Sequence, residues 1–100
     1  MNIAEARAEL KAFYRAWRPL MKRRRVQMDF DGEALLFMVD GFELLIEVGV
    51  ENGEFTNFCG FLEYRYGDSD WFGEDTAQAR SIEKVLRDLM HSYESARMSA

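Results

Sequence analysis

Residues 26–66 read VQMDFDGEALLFMVDGFELLIEVGVENGEFTNFCGFLEYRY, and this stretch decides the fold. The dipeptides Asp31-Gly32, Asp40-Gly41 and Asn52-Gly53 punctuate it. Such pairs close two-residue β-hairpins, because the central positions of the favoured turns need positive φ. The segments between them are rich in Val, Ile, Leu and Phe. They predict strands at 24–30, 33–39, 42–51 and 54–66. Tight turns in succession leave an antiparallel meander, with neighbours paired in chain order.

Tight turns also set register. With Phe30 opposite Glu33, Val39 opposite Phe42 and Glu51 opposite Glu54, one face carries Val26, Phe37, Leu44 and Phe61, then Met28, Leu35, Ile46 and Cys59. That face is the expected core. The other carries Leu36, Met38, Leu45, Phe58 and Leu62, bordered by Asp29, Glu43, Glu47 and Arg25. A solvated face of an antiparallel sheet is ordinarily polar. The apolar patch is therefore an expected contact surface.

Outward from the sheet, Ile3, Ala6, Leu10, Phe13, Tyr14 and Trp17 recur at helical spacing. They predict a helix over 2–18, opened by an Asn2/Glu5 capping box and ended by Pro19. Residues 67–75 read as a loop. A second helix is predicted over 76–95, capped by Asp75 or Thr76, with Ile82, Val85, Leu86, Leu89, Met90 and Tyr93 as its stripe. The expectation is a single α+β domain over 1–100 in the order α-β-β-β-β-α. Two helices ~10 Å wide match the ~19 Å breadth of four strands, so both are expected on one sheet face.

A hydrophobic fraction of 48% with 31% charged residues is that of a folded chain. One cysteine rules out an internal disulfide, no apolar run approaches ~18 residues, and the start lacks signal-peptide order. A soluble cytoplasmic protein is expected. The net charge of −5 conceals an asymmetry. Residues 1–25 carry +6, ending in the run Lys22-Arg23-Arg24-Arg25, whereas residues 26–75 carry −12.

The residues that could carry chemistry are sparse. His91 has no second histidine with which to build a metal site. Cys59 is expected to be buried, with nothing basic beside it to stabilise a thiolate. Asp68, Asp70, Glu74 and Asp75 begin like a calcium loop, but Phe72 and Ala79 occupy the fifth and twelfth places, where ligands belong. The acidic pair Glu43 and Glu47 lies on a flat face with no pocket to raise a pKa. No enzyme, cofactor or metal is expected. The basic run beside an acidic sheet has structural reasons at a helix C-terminus and sheet edge, so direct nucleic-acid binding is not expected.

What remains is binding. An acidic surface repels nucleic acid and attracts a basic protein groove. The expected partner-binding residues are Asp29, Leu36, Met38, Glu43, Leu45, Glu47, Phe58 and Leu62, with Trp71 and Phe72 as aromatic anchors. In size and acidity the chain resembles the small anti-CRISPR and anti-restriction proteins of phages and mobile elements. No motif carries that likeness, so no residue role follows from it. The alternative is a homodimeric adaptor, chaperone or immunity protein paired through the mixed face.

Overall fold

A computed structural model of the chain describes residues 1–39, 41–65 and 72–99. The order is α1 (Ile3–Arg23), β1 (Gln27–Phe30), β2 (Ala34–Val39), β3 (Phe42–Glu51), β4 (Glu54–Arg65), β5 (Phe72–Ala79) and α2 (Ile82–Ser99). The strands form one antiparallel meander, β1-β2-β3-β4-β5. The α+β architecture is the one expected, with a fifth strand added. Both helices cover the same face, as the groove between them shows. It is bounded by Trp17 and Met21 of α1 and by Leu86 and Met90 of α2, and Phe37 and Leu44 of the sheet lie at its foot.

α1 begins with the predicted capping box: Asn2 Oδ1 accepts from Glu5 N at 2.8 Å, and Glu5 Oε1 accepts from Asn2 N at 3.1 Å. Pro19 does not end it; the helix continues to Arg23. The last turn is closed by backbone bonds that wrap over its end, Arg25 N to Lys22 O at 3.2 Å and Val26 N to Met21 O at 2.9 Å. Val26 and Met21 line the same groove, completing the apolar contact that accompanies this closure. The position past the cap, usually glycine, is Arg25 at φ 59°.

The first hairpin is displaced two residues from expectation, with Met28 opposite Phe37 and Phe30 opposite Leu35. The Asp31 carboxylate accepts from the backbone N of both Glu33 and Ala34 at 2.8 Å, so Gly32 and Glu33 form the tip. Those bonds hold the Asp31 carboxyl below its ordinary pKa. What the carboxylate adds to the turn is therefore present above the ordinary carboxylate range and fades as pH falls through the lowered value. A two-residue shift preserves the side-chain faces. The second hairpin has the expected register, Val39 opposite Phe42, and Asp40 lies outside the described residues.

The third hairpin brings the main departure. Asn52 and Gly53 turn with φ 53° and 78°, and Glu51 faces Glu54 as expected. The register then shifts at Gly49/Val50: Val50 faces Phe55, but Gly49 faces Asn57. Thr56 is the extra residue of a β-bulge, and its hydroxyl donates to Gly49 O at 3.2 Å. One inserted residue turns the rest of β4 over. Phe58, Gly60, Leu62 and Tyr64 point inward and are buried, while Cys59, Phe61 and Glu63 point outward.

Residues 72–79, expected as loop and helix start, form β5 instead. They alternate small or bonded residues inward (Gly73, Asp75, Ala77, Ala79) with polar residues outward (Glu74, Thr76, Gln78). Asp75 accepts a hydrogen bond from the Tyr64 hydroxyl at 3.1 Å. α2 consequently starts at Ile82, and its cap is Ser81 rather than Asp75 or Thr76. The Ser81 hydroxyl accepts from Lys84 N at 3.2 Å. The predicted stripe holds: Ile82, Val85 and Leu89 are buried, with Leu86, Met90 and Tyr93 packed beside them. Gly60 lets α2 settle on β4, since a Cβ there would run into Val85 Cγ1 and Leu89 Cδ1.

Two substitutions test this arrangement by urea unfolding. Phe58→Ala, at a fully buried site, is expected to cost about 3–5 kcal/mol, and Phe61→Ala, at 41% exposure, less than about 1 kcal/mol. Equal losses would refute the bulge. Arg25→Gly removes a side chain from a left-handed position and is expected to raise stability by about 1 kcal/mol.

Candidate interaction surface

Among the described residues, no helix covers the outward face of the sheet. Its side chains form rows across the strands: Gln27–Met38–Glu43–Glu63–Glu74, then Asp29–Leu36–Leu45–Phe61–Thr76, then Ala34–Glu47–Cys59–Gln78. The middle row is apolar at its centre, through Leu36, Leu45 and the exposed Phe61. Met38 flanks it on one side, Ala34 and Cys59 on the other.

The expected binding residues divide on this geometry. Asp29, Leu36, Met38, Glu43, Leu45 and Glu47 occupy the open face as anticipated. Phe58 and Leu62 do not; both are at 0% exposure beneath the helices, because the bulge turned them inward. Phe61, Cys59 and Glu63 take their places. Trp71 lies outside the described residues, and Phe72 is described only as part of the β5 backbone. Cys59, expected in the core, is half-buried on this face. The signal that could have found the inversion was parity: Asn57 and Glu63 share alternation with Cys59 and Phe61, so an inward Cys59 would have carried Glu63 into the core.

The charge of the face is one-sided. The acidic side chains described on it are Asp29, Glu43, Glu47, Glu63 and Glu74. Glu43 stands directly opposite Glu63, and Glu63 opposite Glu74. Like charges facing each other across strands are destabilising. Among the described residues no ion pair forms here; those found, Arg7–Glu33 at 3.7 Å and Lys84–Asp88 at 3.3 Å, lie elsewhere. Polar contacts among the described residues of the face include Gln27 Nε2 to Asp29 Oδ2 at 2.8 Å, Asn57 Nδ2 to Gln78 Oε1 at 3.3 Å, and Cys59 Sγ to Asn57 Oδ1 at 3.3 Å. At its margin a hollow of about 830 Å³ brings Arg24 and Arg25 beside Glu43 and Glu63.

Burial, then the Glu47 charge, push the Cys59 thiol above its ordinary pKa, away from a nucleophilic thiolate. Glu43 and Glu47 are four residues apart on an extended strand, about 13 Å and beyond the ~6.5–9.5 Å of an inverting carboxylate pair. Among the described residues no three His, Cys, Asp or Glu side chains converge to hold a metal ion, and no helix is long and apolar enough to cross a membrane. On the helical side, the groove between α1 and α2 has a volume of about 480 Å³, with Phe13 and Trp17 stacked at 5.5 Å on one wall and Glu83 on the other.

No protein family, characterised protein or solved structure matches this chain.

Glu47→Gln is expected to lower the pH at which Cys59 reacts with iodoacetamide, by removing the charge that opposes thiolate formation. An unchanged rate profile would mean that burial alone sets the thiol.

Proposed function

We propose that this protein is a cytoplasmic, non-enzymatic binding module that docks its open sheet face onto a basic surface of a partner protein. An inhibitor occupying a nucleic-acid-binding groove, in the manner of the anti-CRISPR and anti-restriction proteins it resembles in size and acidity, is the concrete form of this reading. The observation that carries it is the pairing of an apolar row, Leu36–Leu45–Phe61, with the carboxylates Asp29, Glu43, Glu47, Glu63 and Glu74 on the same face, Arg24 and Arg25 standing only at one margin. Apolar contact supplies the energy, and the carboxylates select a basic partner and speed its approach.

A second copy of the chain is the other candidate partner, favoured by the 41% exposure of Phe61. It ranks below, because two-fold pairing of this face with itself would bring the glutamates of both copies together in a low-dielectric contact.

Affinity capture from the native host with the wild-type protein, a Glu43→Lys/Glu63→Lys double variant and an α1 control, Glu9→Lys, separates these outcomes. Under the proposal the wild type and the control retain the same basic protein, increasingly so at low salt, and the double variant loses it. Identical capture by all three would defeat the proposal. A light-scattering dimer abolished by Leu45→Glu would replace it with self-association.

A further inference from the structure

We infer that the element received by the open face is a basic amphipathic α-helix lying across β2, β3 and β4, a conclusion that rests on the binding role proposed above. Three dimensions point to it. Leu36, Leu45 and Phe61 sit on adjacent strands, about 4.8 Å apart from one strand to the next, and a helix presents apolar side chains once per turn at about 5.4 Å. The anchors of such a helix therefore fall in step with the row. Glu43 and Glu47 flank Leu45 on the same strand with about 13 Å between them, enough to admit a helix about 10–12 Å wide. The glutamate row Glu43–Glu63–Glu74 runs parallel to the apolar row, so lysines or arginines at one flank of the helix meet carboxylates on β3 and β4, with Met38 in that row on β2.

The same features disfavour other occupants. A nucleic acid or an anionic membrane surface meets five acids on this face, with Arg24 and Arg25 only at its margin. An extended partner strand would seek the unpaired edges of β1 or β5, not the face. A basic chain without an apolar stripe would leave Leu45 and Phe61 in water. A helix laid here gives the sheet helices on both faces, the layered arrangement that an apolar row on a second face otherwise lacks.

The probe is a synthetic peptide of about five helical turns, leucines at helical spacing and lysines on both flanks, compared with a scrambled peptide of identical composition. Fluorescence anisotropy reads affinity and circular dichroism reads helix formation on binding. The helical peptide is expected to bind at least about tenfold tighter than the scrambled one, gaining helicity, and to lose about tenfold or more with either Glu43→Lys/Glu63→Lys or Leu45→Ser. Glu83→Gln, in the groove between the helices, should leave it unchanged. Equal binding of the scrambled peptide would overturn the inference in favour of unspecific charge attraction. Sensitivity to Glu83→Gln but not to the open-face variants would overturn it in favour of the groove. Absence of peptide binding, with partner capture still abolished by Glu43→Lys/Glu63→Lys, would reject the helix while leaving the binding role intact; loss of both dependences would reject both.

Discussion

The bulge at Thr56 governs the molecule. A sheet sorts its side chains by alternation, so one unpaired residue exchanges the faces of everything beyond it. The surroundings are suited to that insertion. A Cβ at Gly49 would meet the Asn57 side chain and backbone, and the Thr56 hydroxyl bonds the Gly49 carbonyl. Beyond it Phe58, Leu62 and Tyr64 enter the core, and Gly60 lies under Val85 and Leu89, which seats α2 on β4. Had the ladder continued unbroken, Cys59, Phe61 and Glu63 would have met the helices. A glutamate would then have been buried without a partner, at a cost of several kcal/mol.

The two faces that result are unlike. Inside, α1 covers the β1 side and α2 the β5 side, and the small inward residues of β5 let the second helix approach. Outside, three glutamates stand abreast beside an apolar row in which Leu36 and Leu45 are half-buried and Phe61 is exposed. Natural sheets tend to relieve such features with opposite charges or polar side chains. A row of like charges that lowers stability, next to hydrophobic side chains that gain from being covered, is the feature on which the proposed binding role rests. Arg25 belongs to the same pattern: it occupies a backbone position that glycine would fill with less strain, and its side chain lines the hollow at the rim of the face.

Elements defined by neighbours in sequence were legible. The capping box and apolar stripe of α1, the stripe of α2, the places of the turns and the faces of β1, β2 and β3 follow from local periodicity and turn chemistry, although the register of the first hairpin is displaced by two residues. So did most of the surface: Asp29, Leu36, Met38, Glu43, Leu45 and Glu47 stand where alternation placed them. Pro19 misled because a proline can be held within a helix when the turn after it is anchored, here by Val26 against Met21. β5 misled because its residues have weak strand propensity; it is a strand because β4 offers it a ladder of backbone partners.

By itself, then, the sequence determined the α+β class, the meander order, both helical stripes and the gathering of acid onto one sheet, since each is encoded in residues a few positions apart. Only the tertiary structure decided that β4 turns over at Thr56, that residues 72–79 join the sheet, and that Phe61 rather than Phe58 or Leu62 reaches the surface. Those outcomes depend on hydrogen bonds and packing between segments distant along the chain, where an inserted residue or a borrowed ladder leaves little trace in the local pattern.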